Sequence, residues 1–162
     1  VIMNKLEMDV RDTVLLANAE SIAVEASMVA YEGVVIAAER DAGSLRTMEE
    51  NASKFGTHNI EIIPEITVEA LEKLPTPRLA FIVAQKSTIE NDIVTLLKVN
   101  PKIKFIIYTL ELDILADIKY LMKKHGVDVT EVMQIAVSKV DKNGVFVAQP
   151  APWMITCEVK EK

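Results

Sequence analysis

The chain has 162 residues, half of them hydrophobic, with a positive mean hydropathy, which argues for a folded core and against disorder. A net charge of −6 argues against nucleic-acid partners, whose sequence-independent affinity comes from clustered Lys and Arg; the densest basic stretch, residues 119–124, holds three lysines and reads as a solvated helix face. No apolar run approaches the roughly 18 residues needed to cross a bilayer, so no membrane partner is expected. The lone Cys157 excludes an internal disulfide and suits a reducing compartment, so a cytoplasmic location is expected. One domain over residues 1–162 is expected, and a first residue Val1 in place of Met fits the C-terminal part of a longer chain.

Short β-branched apolar runs alternate with helical patterns. Strands are predicted at Thr13–Ala17, Val34–Ala38, Ile60–Ile63, 79–84 and 104–108, with helices at 21–31, Ala42–Phe55, 68–74, 88–99 and 110–125. Near-continuous Val, Ile and Leu in the strands is the pattern of a parallel sheet buried on both faces. Asp41 is placed to cap the second helix, with Gly56 and Gly126 as helix stops and Asn100-Pro101 as a break. Residues 129–140 read as one long strand, Asp141-Lys142-Asn143-Gly144 as a hairpin turn, and Trp153–Val159 as a last strand. Pro150 and Pro152 keep 145–149 from serving as a central strand. The expectation is an α/β fold: a doubly wound, mainly parallel sheet with an antiparallel C-terminal hairpin closing one edge.

The first strand-to-helix turn, Ala17-Asn18-Ala19-Glu20, lies where a nucleotide-binding domain brings its backbone against a ligand, yet it holds no glycine. Such loops favour glycine because a Cβ hinders the close approach. Residues 17–30 favour helix, so Asn18 is expected to cap a helix that begins early and fills the ligand space. Glu20 adds a negative charge that offsets the helix dipole. About twenty residues on, Glu39 ends the second strand, the position from which a carboxylate accepts the ribose hydroxyls. The plainer alternative is an exposed acid paired with Arg40 or Arg46. His58 and His125 read as structural or solvated, and one cysteine with two separated histidines gives no metal spacing. Cys157 reads as a small buried hydrophobe, and Trp153 as a core anchor or a pocket residue.

Four further stretches together resemble a known family. They are 51–63 (NASKFGTHNIEII), Glu69-Ala70-Leu71 with Leu74-Pro75-Thr76-Pro77, Thr109-Leu110-Glu111, and Gln134–Lys139 with the closing Pro152-Trp153-Met154-Ile155-Thr156. In order and spacing they resemble the decarboxylating precorrin methyltransferases of cobalamin biosynthesis, the precorrin-6Y methylases, over nearly the whole chain. The resemblance implies a Rossmann-like class I methyltransferase fold with seven strands, S-adenosylmethionine as cofactor, a corrinoid precursor as substrate, and a homo-oligomer, commonly a tetramer. It also implies an upstream tetrapyrrole methylase domain in many members. The reaction it implies passes the sulfonium methyl to a ring carbon, with positioning supplying most of the acceleration.

The chain departs from that family at the glycine motif before Ser21, at the acidic adenine-side position near Ile66, at the glycine-rich loop now reading Val83-Ala84-Gln85-Lys86-Ser87, and at an asparagine now near Ile106. By the resemblance, Glu39, Asn18 and Ser21 are the candidate cofactor-binding residues, Thr109 and Glu111 the candidate substrate-binding residues, with no catalytic base and no metal ligand. Three functions follow: a methyltransferase with altered loops, a non-catalytic scaffold or oligomerisation domain, or a tetrapyrrole-binding module. Loss of cofactor binding is the expectation the residues favour.

Overall fold

The computed structural model describes residues 2–160. Its central sheet has the strand order β3-β2-β1-β4-β5-β9-β6. Five parallel strands form one side: β1 (Thr13–Ala17), β2 (Val34–Ala38), β3 (Ile60–Ile63), β4 (Leu79–Val83) and β5 (Lys104–Thr109). Their helical crossovers are α2 (Glu20–Val29), α3 (Ala42–Phe55), α4 (Val68–Glu72) and α5 (Ile89–Val99). A short α1 (Ile2–Leu6), which the sequence reading lacks, precedes them, and α6 (Leu112–Lys124) follows β5.

Alternation along the buried strands produces two apolar layers. Leu15, Ile36, Ile82 and Phe105 face one side and pack with Leu71 of α4, Ile93 of α5 and Met122 of α6. Val14, Leu16, Val35 and Phe81 face the other and pack with Ala23 of α2 and Met48 of α3. Buried Asp12 holds β1 and β4 together at their N-terminal ends: Arg78 Nε and Nη2 donate to its two oxygens at 2.9 and 2.7 Å. Asp41 caps α3 as expected, accepting from Ser44 N at 2.8 Å, and Gly56 ends that helix in the left-handed region.

The C-terminal third differs from the expectation in three ways. The run 129–140 is two strands, β6 (Val127–Gln134) and β7 (Ser138–Val140). The Asn143-Gly144 turn does form a hairpin, with Asp141 Oδ1 accepting from Asn143 N and Val145 N, but that hairpin is β7 with β8 (Phe146–Ala148), a separate two-stranded ribbon. An antiparallel C-terminal pair does close one edge of the large sheet, but it is β9 (Trp153–Val159), inserted antiparallel between β5 and β6, with β6 as the edge strand, and the Asn143-Gly144 turn does not join the two directly. Pro150 and Pro152 explain the swap, since lacking N–H donors they end β8 and release the chain back to β5. β3 is not buried on both faces either: as the edge strand beside β2 it exposes Glu61 and Ile62. Among the described residues, no helix is long and apolar enough to cross a membrane.

Candidate functional site

The parallel strands end on one edge of the sheet. Strand order reverses at β1, with β2 and β3 added on one side and β4 and β5 on the other, and in open α/β sheets the crevice at such a switch point takes the ligand. The turn after β1 differs from the expectation. Helix α2 starts at Glu20, with Ala19 rather than Asn18 at its cap and no side-chain capping bond. Asn18 instead takes a left-handed backbone, φ 58°, the conformation glycine would adopt with least cost. Asparagine tolerates that region better than most residues, so a glycine-free turn keeps a glycine-like path. Its backbone N–H donates to Ala38 O at 3.0 Å, and its side-chain amide donates to Val83 O at 3.3 Å, bridging the ends of β1 and β4.

Around Asn18 the crevice is lined by Ala17, Ala38, Arg40, Glu65, Gln85 and Asp92, among others, and encloses only about 30 Å³, room for one or two waters. Arg40, after β2, pairs with Glu65, after β3, across it. The sequence reading offers Arg40 or Arg46 as a partner of an exposed Glu39; in the structure Glu39 is buried, its Oε1 accepting from Asp41 N at 3.0 Å. Glu39 faces an adjoining open groove of about 400 Å³ shared with Leu45, Pro64, Thr67 and Ala70. Ser21 is exposed in the first turn of α2 and lies away from the residues that line the crevice.

Thr109 and Glu111 lie at the end of β5. Thr109 is buried, and its Oγ1 accepts from Glu111 N at 2.9 Å, shaping the entry to α6. Glu111 is exposed and lines a broad cleft of about 630 Å³ with Ala84, Gln85, Lys86, Ser87 and Asp113. The five sequence-predicted residues therefore divide: Asn18 and Glu39 flank the crevice region, Glu111 lines a neighbouring cleft with Thr109 buried behind it, and Ser21 joins neither. Arg40, Glu65 and Asp92 are missing from the sequence reading of the site. Among the described residues, no group of three or more His, Cys, Asp or Glu is placed to hold a metal. Trp153 is half-buried on β9 and Cys157 is buried, its thiol pushed up to about 12 by burial.

Residues 15–159 match the family model of the precorrin methyltransferase domain. The chain belongs to that family. The fold of this precorrin methyltransferase domain is similar to that of a precorrin-6y C5,15-methyltransferase from Geobacter metallireducens GS-15, with 24% identity and a TM-score of 0.85 over 98% of this chain and 85% of that one. It is also similar to a precorrin 8w decarboxylase from Methanobacterium thermoautotrophicum, at 19% identity and a TM-score of 0.79 over 98% and 87% of the two chains. A more distant likeness is TrmK from M. capricolum, solved with S-adenosylhomocysteine, at 12% identity and a TM-score of 0.68 over 99% and 68%. At these identities the likenesses establish the fold alone. No curated protein matches the sequence.

Asp92 gives the crevice a pH signature. Burial pushes its carboxyl up from 3.8 to about 6, Arg40 opposing and nearby Glu65 reinforcing the shift. The native state therefore holds this proton more tightly than the unfolded chain, so its contribution is fully favourable below pH 3.8 and is lost as pH rises through about 6. Solvent screening and the first-turn dipole of α5 reduce the cost at neutral pH to about 1 kcal/mol. Asp92→Asn is expected to raise Tm by about 2–4 °C at pH 7 and to leave it nearly unchanged at pH 4, checked by thermal denaturation at both values. An equal effect at both pH values would contradict this origin.

Proposed function

We propose that this domain descends from S-adenosylmethionine-dependent precorrin-6Y methyltransferases acting with decarboxylation on a corrinoid precursor, and that its cofactor crevice has narrowed until binding is weak and methyl transfer is impaired or lost. The supporting observation is the volume at Asn18, about 30 Å³ where small-molecule sites hold roughly 300 Å³ or more. The residues present do not fit S-adenosylmethionine in this arrangement. The Asn18 amide occupies the Val83 carbonyl, the Arg40–Glu65 pair spans the crevice, and one Glu39 oxygen is taken by Asp41 N. Ile66, near the position where the resemblance places an acid beside adenine, is buried in the core. No step of methyl transfer is therefore derived through the cofactor. The broad cleft at residues 84–87 and 111–113 is the surface this reading offers to a tetrapyrrole, with Thr109 shaping its wall through Glu111 N.

Calorimetric titration with S-adenosylmethionine tests the reading. The expected dissociation constant is weaker than about 1 mM, so that about 1 mM ligand raises Tm by less than roughly 1–2 °C. A low-micromolar constant would sink it.

A second reading, a scaffold that assembles copies of this chain, is favoured by the β7–β8 ribbon. All six of its strand residues are exposed, including Val140, Phe146 and Val147, and Val145 in the turn adds to the same apolar surface. A two-stranded ribbon of this length has little stability alone, and a second copy covering it would supply the missing apolar contact. Light scattering is expected to show a homo-oligomer that Phe146→Asp with Val140→Lys converts to monomer at unchanged Tm of the isolated subunit. A wild-type chain that stays monomeric at high concentration removes this reading.

A further inference from the structure

Arg40 and Glu65 are the movable part of the wall that narrows the crevice; Ala17 and Ala38 line it with small side chains, and Pro64, Ile66 and Thr88 complete it. Arg40 follows the end of β2 and Glu65 follows the end of β3, and the two side chains meet at the crevice. Their side chains are 61% and 53% exposed, so each keeps a route to solvent and neither is locked by packing. The backbones beneath are already tied, since Glu39 N donates to Ile63 O at 3.1 Å. The ion pair is thus not needed to hold β2 against β3. The pair lines the same small crevice as Asn18 after β1, Gln85 after β4 and Asp92 of α5.

We propose that the Arg40–Glu65 pair is an autoinhibitory latch on the switch-point crevice, which must part before a nucleoside-type ligand can enter. The inference rests on the functional reading above and deepens it: closure is reversible, and the residues that close it are also the ones that regulate access. Opening the latch leaves the carboxylates of Glu65 and Asp92 and the amides of Asn18 and Gln85 facing one space. That set suits a ligand carrying an amino group and hydroxyls. A pair this exposed shifts an equilibrium by at most about fivefold, so the latch weakens binding without forbidding it.

Two single variants separate a latch from a simple charge effect. S-Adenosylmethionine carries one net positive charge, so charge alone makes Arg40→Ala bind it more tightly and Glu65→Ala less tightly. A latch makes both variants bind more tightly, by about three- to fivefold, with the double variant gaining little more than the better single one. Binding is read by protein-observed NMR titration with S-adenosylmethionine, which reaches millimolar constants. Amide hydrogen exchange at residues 65–67 supplies a readout that needs no ligand, and it is expected to quicken in both variants. Opposite changes in affinity, or unchanged affinity together with unchanged exchange, overturn the latch. No binding by any of the proteins, whatever the exchange, also overturns the latch and leaves the reading of lost cofactor binding standing.

Discussion

Strand β1 is buried on both faces and pairs in parallel with β2 on one side and β4 on the other, Val14 opposite both Val35 and Leu79. Every feature of the site depends on that double pairing. It brings the ends of β1, β2 and β4 to one edge, places the reversal of strand order beside Asn18, and sets Val83 O within reach of the Asn18 amide. Asp12 anchors the opposite end of the same strands through Arg78, so the frame is held at its base by a buried carboxylate with a bidentate, partly exposed partner and at its rim by an exposed ion pair. Leaving the buried Asp12 carboxylate without its partner costs more than parting an exposed pair. The base is therefore held more firmly than the rim.

That contrast separates the residues that make the fold from those that line the crevice. The two apolar layers depend on residues such as Leu15, Ile36 and Phe105 on one face and Val14, Val35 and Phe81 on the other, none of which touches the crevice. Substitutions at the rim leave both layers intact. Asn18 takes a left-handed path without being a glycine, because the chain has to turn from β1 into α2 in a small space. What it adds is an amide, and the amide finds the carbonyl across the crevice.

Much of the fold is legible in the sequence because it follows from local chemistry. The apolar runs of β1, β2 and β4, the Asp41 cap, the Gly56 stop and the Asn143-Gly144 turn all act over a few residues. The insertion of β9 between β5 and β6 is not local, since it depends on where Pro150 and Pro152 release the chain, and the hairpin turn belongs to the β7–β8 ribbon rather than to the pair that closes the sheet. The site is less legible for a similar reason. Glu39 is marked by its place at a strand end, but Arg40 meets Glu65 only because Ala38 stands opposite Ile63 in the β2–β3 register. Asp92 reaches the crevice from the first turn of α5, and nothing in its neighbours along the chain announces that. Thr109 is singled out in the sequence by resemblance, and its hydroxyl serves the backbone of Glu111.

A crystal structure determined with several equivalents of S-adenosylhomocysteine measures the state of the crevice most directly. The account predicts either no nucleoside at the Asn18 turn or a partly occupied one, seated only in copies where Arg40 has swung away from Glu65. A fully occupied nucleoside lying beside an intact Arg40–Glu65 pair, with the Asn18 amide still on Val83 O, would contradict it.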